Sequence, residues 1–474
     1  MNKRYLTKRL LGIIIILYGV ISALFYYAAN YQIKHTPQNQ IQEENDGSIG
    51  AILDEKKVVQ SFHYDGDYLQ RIALKVGTYA RKNTGRINVS LYDAKDELLW
   101  KEQKEASKLE DNSDWWLNVN KRLSSGMQEY YITIESEGFD DDNNITIYTN
   151  SKGSIHNGQL YVGDDLVEAE LEMALYGGKK RKFAFSYWLI CIVLLVIIVA
   201  VYGVEVQKEK KGKRGWLSKF CYTLDTYQFM LKQLVNRDFK TKYKRSVLGM
   251  FWSLLNPLLT MVVQYIVFST VFRGNVRNFP VYLLSGSILF NFFTESVGGG
   301  LSSIVGNASL ITKVNAPKYI YPVTKVLSTS INLVISMLPM LAVVLITGEK
   351  INKAYLLIPF VAFCLLLFAM GMTLILSSLM VFFRDVQFLW SIISLLWLYA
   401  TPLFYPASII PEKFHFILAA NPMYHYVTFF RSILLDYTSP ALIEYVFCLG
   451  FSIIFCVIGG IIFNRTEKKF VLYL

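Results

Sequence analysis

Eight apolar runs, each long enough to cross a bilayer, set what this 474-residue chain can fold into. They fall at about 10–29, 183–204, 247–272, 280–301, 323–347, 354–382, 386–405 and 441–464. Backbone in hydrocarbon must satisfy its own hydrogen bonds, so runs of this length predict α-helices. A hydrophobic share of 53%, with 15% aromatic residues, exceeds the soluble norm. The expected fold class is a polytopic α-helical membrane protein of about eight spans.

Between the first and second runs the pattern changes. Residues 31–178 alternate polar and apolar positions in segments such as RINVSLYD, EYYITIES and NNITIYTN, bounded by Gly, Asn and Asp. Such alternation marks strands, and a segment of this length can bury its own core. An inserted extracytoplasmic antiparallel β-sandwich is expected. This segment holds 15 Lys and Arg against 26 Asp and Glu, a balance of −11, which leaves 33 against 11 for the remainder. Basic loops on the inner face of a membrane account for that remainder, and no nucleic-acid motif accompanies it. All five cysteines lie outside residues 31–178, and no Cys or His spacing fits a zinc site. The domain must fold without disulfides, and no metal is expected.

Lys3, Arg4, Lys8 and Arg9 precede the first run, as they would in a signal peptide. The run is about 20 residues long and no small-x-small site closes it, so residues 1–30 read as a retained anchor, with cleavage as the alternative. A second transmembrane helix is expected within 179–206, followed by the basic cluster Lys208, Lys210, Lys211, Lys213 and Arg214. Lys313, Lys318, Arg384, Arg465, Lys468 and Lys469 fall on that same side if six spans follow, which places both termini in the cytoplasm. Lys179 to Lys182 oppose the rule, although long domains translocate regardless of flanking charge.

Residues 207–246 form a cytoplasmic linker in which Tyr227, Met230, Leu231, Leu234, Val235 and Phe239 recur at helical spacing opposite Lys232, Arg237, Lys240 and Lys244. A basic amphipathic helix over 226–245 is expected at the inner surface. The six-span core occupies 247–474. Within it, NASLITKVNAPKYIYP (307–322) is a polar island between two spans, with Leu310, Ile311 and Val314 spaced along a short helix that Pro317 ends. Residues 406–435 are apolar but broken by Pro406, Pro411 and Pro422, so two short re-entrant or interfacial outer helices are expected rather than a straight span.

Several of these stretches carry a resemblance. Asn307, Leu310, Ile311, Lys313, Pro317 and Pro322 resemble, in order, the coupling-helix region of ABC transporter permeases that export polysaccharide, teichoic acid or O-antigen. The series Arg237, Tyr243, Leu248, Gly249, Trp252 and Pro257 is similar to that family's lead into its first core span, and Phe383–Asp385, Thr401–Pro406 and Asn421–Met423 with Arg431 resemble its later signatures. Ala316 stands where the family usually has an aromatic residue. The resemblance implies a permease that moves a lipid-linked cell-envelope polymer across the bacterial cytoplasmic membrane. It also implies a separate cytoplasmic ABC ATPase that binds ATP and Mg, and a second copy of this chain. The N-terminal two-span unit with its outer domain lies beyond the family's minimal plan.

No GxxxxGK[ST] loop occurs, so the chain itself is not expected to bind and hydrolyse ATP by that route, and the resemblance implies a transport permease, not an enzyme, with no cofactor of its own. The resemblance assigns coupling near 307–320 to Asn307, Leu310, Ile311, Lys313, Val314, Pro317 and Lys318. A sugar path is expected along Trp252, Tyr265, Phe268, Trp390, Trp397, Tyr399, Phe404 and Tyr405, since sugar faces stack on rings; the same residues suit an interfacial belt. Glu295, an acidic residue inside a span, is either a sugar ligand or structural. Arg237, Lys240, Tyr243 and Arg431 are candidates for the pyrophosphate of a lipid carrier or for the membrane interface. Trp100, Trp115 and Trp116 are outer-domain glycan candidates, with core packing as the alternative. Rival readings are a membrane glycosyltransferase or polymerase, for which Asp140–Asp142 looks more like a solvated turn than a site, and an ABC exporter of small lipids or drugs.

Overall fold

The computed structural model describes residues 5–42, 46–54, 56–124, 126–151, 157–180, 186–213, 215–243, 248–272, 276, 278–314, 316–349, 351–435 and 439–474. Lys3, Arg4, Arg181, Lys182, Arg214, Lys244 and Arg245, whose charges entered the topology argument, lie outside the described residues. The chain divides into a helical unit, Met1–Asn30 with Phe185–Phe272 and Asn278–Leu474, and a β unit, Tyr31–Ala184.

The β unit is a sandwich of antiparallel strands in an eight-stranded and a six-stranded sheet. Strand Val58–Tyr64 alternates buried and half-buried positions along its whole length, as a strand with one face on a core must. It pairs with Gln128–Glu137, which pairs in turn with Arg86–Asp93. In the other sheet Tyr68–Gly77 lies between Ser113–Arg122 and Met173–Lys180. Phe62, Leu91 and Ile132 from one sheet meet Ile72, Leu117 and Leu175 from the other in a single core, so apolar burial does the work of disulfides. Lys179 pairs with Asp65 at 2.7 Å, so its charge is balanced within the domain. Asp140 accepts the backbone N–H groups of Asp142 and Asn143, and the acidic run is an exposed turn.

In the helical unit, α1 (Lys8–Ala28) and α2 (Ser186–Lys210) are long, apolar and largely exposed, as lipid-facing spans are. Two carboxylates at the end of α2 gather the neighbouring segments. Glu209 accepts the N–H groups of Tyr5 and Leu6, and Glu205 that of Leu217 at the start of α3 (Trp216–Tyr243). The amphipathic helix thus begins ten residues earlier than its apolar spacing suggested.

The core continues with α4 (Trp252–Phe272) and α5 (Phe279–Leu301). Two single-turn helices follow, α6 (Ser303–Gly306) and α7 (Ala308–Ile311), and then α8 (Ile320–Ile346) and α9 (Ile358–Phe382). Helix α10 (Val386–Ala400), the short α11 (His415–Ala420) and α12 (Pro422–Leu434), and α13 (Leu442–Thr466) complete it. Gly371 on α9 and Gly459 on α13 meet backbone to backbone; a Cβ on Gly459 would collide with the Gly371 carbonyl.

Among the described residues six helices, not eight, are long and apolar enough to cross a membrane: Phe279–Leu301 is long but less apolar, and the last-but-one run is cut short. The run 386–405 reads as a single crossing, but α10 stops at Ala400 after 15 residues, about 22 Å and short of a bilayer core. Thr401–Pro406 is non-helical, and its carbonyls find donors elsewhere. Arg431 donates to Pro402 and Leu403 at 2.7 and 2.9 Å, and the Tyr282 hydroxyl donates to Tyr405 at 2.8 Å. The side-chain amide of Asn421 donates to the Thr401 hydroxyl, and its oxygen accepts Trp397 Nε1–H at 2.7 Å. Side chains from α5, α10 and α12 therefore supply what the missing helical turn does not.

Candidate functional site

Two features share one end of the bundle. The first is the knob at 303–319, which joins the end of α5 to the start of α8. It is not one helix but two single turns that meet at Asn307. The Asn307 amide donates to the Ser303 carbonyl at 2.7 Å, and its oxygen accepts from Arg237 on α3 at 3.3 Å. Ile304, Ile311 and Ile320 pack in one cluster with Leu234 of α3, Leu374 of α9 and Phe463 of α13, and Tyr227, Met230 and Leu231 lean on it. The apolar face of α3 is therefore spent on the knob rather than wholly on lipid.

This burial corrects part of the expected coupling surface. Ile311 is 7% exposed and faces inward, whereas Leu310 and Val314 are 37% and 45% exposed and Lys313 is exposed beside them. The i, i+4 pair makes the outer rim, and the intervening Ile311 anchors it. Asn307 is buried and structural. Pro317 is half-buried, its carbonyl accepting Ile320 N–H, and Lys318 donates to the Glu467 carbonyl at 2.6 Å, tying the knob to the C-terminal segment.

The second feature is a polar cleft among α3, α4, α5 and α8. Two adjoining cavities of about 290 and 260 Å³ share Lys242, Glu295, Thr329 and Asn332 as lining. Glu295 accepts from Lys242 at 2.6 Å and from the Asn332 amide at 3.2 Å. Asp238 lies between Arg237 and Lys325, each at 2.9 Å. Ser253, Asn256 and Asn291 add hydroxyl and amide groups, and Pro257 cannot make the helical hydrogen bond to the Ser253 carbonyl. Trp252, 44% exposed, lines the same cavity. Amides, hydroxyls and paired charges within apolar helices are costly against lipid, and here they line a cavity instead. The arrangement can hold a hydroxyl-rich ligand on the amides, stack it on an indole and meet a negative charge with Lys242 and Lys325.

Of the expected path residues, Trp252 and Glu295 thus share a cavity. The others do not join them. Trp390 and Trp397 pack edge-on against the fully buried Phe293 at 5.9 and 5.1 Å, and Phe404 is buried and stacks on Phe268 at 5.1 Å. Tyr265 is half-buried beside Phe279, Tyr405 donates to the Tyr399 carbonyl, and Tyr399 itself is exposed on α10. Within one chain most of these rings are packing, not a lined channel. Arg431 is also corrected: it is spent on backbone carbonyls with its guanidinium 3.4 Å above the Tyr282 ring, which leaves a phosphate no access. Arg237 and Lys240 are exposed on α3; Tyr243 closes that helix, and its side chain lies outside the described residues. The cations that line the cleft, Lys242 and Lys325, were passed over, as were Asn256, Asn291 and Asn332. Three amides inside apolar runs were the signal that would have found them.

The three tryptophans of the β unit form no common platform. Trp115 is 1% exposed and belongs to the core; Trp116, next along the strand, points to the other face and packs with Tyr176 at 5.4 Å and Arg71 at 5.1 Å. Trp100 is half-buried against the core edge.

The ABC-2 type transporter family model matches residues 230–435, which span α3 through α12 and hold both knob and cleft. An O-antigen export system permease of Myxococcus xanthus is 33% identical over 246 residues, 52% of this chain and 95% of that protein. A Klebsiella pneumoniae protein of the same name is 31% identical over 254 residues, 53% and 97% of the two chains. A capsule polysaccharide export inner-membrane protein of Neisseria meningitidis is 22% identical over 218 residues, 45% and 82% of the two. What the fold and knob define is the membrane component of a transporter with several spans. The chain belongs to the ABC-2 family of export permeases that includes these O-antigen and capsule proteins. The β unit lies outside the matched residues.

Proposed function

We propose that this chain is the permease subunit of an ABC exporter that moves a lipid-linked cell-envelope polysaccharide or teichoic-acid-like polymer out across the bacterial cytoplasmic membrane. The observation that carries the reading is the coincidence of a family match at 31–33% identity, over nearly the full length of two export permeases, with a polar, Trp-lined cleft inside the matched residues. A separate ATPase binds ATP and Mg and presses on the rim made by Leu310, Lys313 and Val314. Two copies of the chain enclose the conduit, with one ATPase on each knob. Both termini and the knob face the cytoplasm, and the β unit stands outside, where it holds or guides the emerging glycan.

The test is purification with the cognate ATPase, comparing wild type with a Leu310→Asp, Val314→Asp double variant. A stable complex is expected, with transport-coupled ATP turnover lost in the variant and lipid-linked polymer accumulating at the inner leaflet of cells that carry it. A chain that captures no ATPase, or a variant that exports like wild type, overturns the reading.

A further inference from the structure

The cleft contains two ion-pair centres that differ in how they are satisfied. Asp238 has a cation on either side, Arg237 and Lys325, and its side chain is nearly buried. Glu295 and Lys242 are both 43% exposed, so water reaches their contact and the pair is weakly held. Asn332 already donates to the Glu295 oxygen that Lys242 contacts, so the carboxylate keeps a partner if the lysine leaves. Lys242 stands in the last turn of α3, five residues beyond Arg237, and Glu295 lies on α5. Their contact therefore fastens the end of the helix that grips the knob through Arg237–Asn307 and Leu234–Ile311.

We propose that the Lys242–Glu295 pair is a latch opened by substrate: the diphosphate or phosphodiester group of a sugar-bearing lipid takes Lys242 from Glu295. Asn332 retains the carboxylate, the sugar lies along the amides toward Trp252, and the end of α3 is freed from α5. A phosphate competes well with a carboxylate whose contact to the lysine is half-exposed to water, because it brings more charge and more acceptor oxygens. Because α3 also holds the knob, an occupied cleft is reported to the motor. This rests on the export reading above and adds to it the residues that sense the headgroup and the route by which they do so. The coupling is carried by an element whose position both sites bias, the end of α3.

The experiment uses the full chain with its ATPase in discs of zwitterionic lipid, reading ATP turnover as polyprenyl-diphosphate disaccharide is added. Wild type is expected to be stimulated. Glu295→Gln should raise turnover without substrate, since the latch is open, and still respond. Lys242→Gln should also raise the basal rate but shift the half-stimulating concentration upward by about tenfold or more, and Lys242→Arg should restore the response. Equal stimulation by a phosphate-free polyprenyl glycoside overturns the proposal, as does a wild-type response in Lys242→Gln. Phosphatidylglycerol in place of the diphosphate separates the two sources of phosphate: stimulation by it alone overturns substrate sensing. Loss of ATPase association would instead count against the export reading, because it is read in complex formation and polymer location rather than in the lysine series.

Discussion

At the end of the bundle that holds Thr401–Pro406, Tyr282, Asn421 and His425 are buried and Arg431 is half-buried, and the hydrogen bonds they make go to the chain itself. His425 contacts Glu444 through Nδ1 and the Ala419 carbonyl through Nε2, at 2.9 and 3.0 Å. At the knob end, Lys242, Glu295 and Asn291 are as polar but stand exposed around a cleft, and the contacts they make can be exchanged. The first set closes a gap in the helical backbone. The second keeps one open for a ligand. Polar residues in a membrane protein are costly in both places, and the difference lies in whether the acceptor is the chain itself or something that arrives.

The hardest way to break this contrast is at Arg431. Arg431→Met keeps much of the volume but takes away the Arg431 donor of the Leu403 carbonyl and leaves the Pro402 carbonyl only the Tyr282 hydroxyl at 3.3 Å, a loss of about 3 kcal/mol. Little folded protein should be recovered, and thermal unfolding in detergent should begin well below the wild-type temperature. Lys at this position should rescue poorly, because three carbonyls are met by one planar fork. Normal stability in Arg431→Met would place Arg431 among the exchangeable residues. The same contrast recurs between neighbours on one β strand. Trp115→Ala should cost about 3–5 kcal/mol as a core cavity, and Trp116→Ala a fraction of that, read by proteolysis of the β unit in the full chain. At the cleft the signs reverse: Asn332→Leu should leave unfolding nearly unchanged yet slow export by about tenfold, roughly 1.4 kcal/mol of transition-state interaction.

Much of this architecture is legible in the residues. Apolar runs mark the spans and alternation marks the sandwich, because burial imposes those periods directly. The ordered motifs give the family, which the 31–33% identity over nearly the full length of two export permeases shows. What the sequence hides is the direction in which a side chain points. Ile311 sits between Leu310 and Val314 with the same chemistry, and only packing against Leu234 and Phe463 turns it inward. Arg431 looks like a phosphate ligand until Thr401–Pro406 folds back to present its carbonyls. Those two segments are some thirty residues apart, and no local period encodes their meeting. Lys242 and Lys325 were passed over for a related reason: positive charge is common near a membrane's inner face, and only the cavity distinguishes these two from the rest.

The smallest effect expected separates a charge held by the chain from one held by solvent. Asp54 accepts the backbone N–H groups of Phe139 and Gly138 at 2.9 and 2.7 Å, and these bonds hold its carboxyl below its ordinary value of 3.8. The ionised form is the one the fold prefers. Its contribution is therefore complete above the unfolded value and is lost as pH falls through the lower, folded value. In acid the loop at Gly138 should loosen, and exchange of the Gly138 and Phe139 amides should rise, after correction for intrinsic rates, as pH drops below that of the free carboxyl. Asp54→Asn should show faster exchange at neutral pH and little further change in acid. If the variant and wild type trace the same pH dependence, the loop is held by its other contacts. The bonds of the exposed Asp54 carboxylate would then be ones that water replaces.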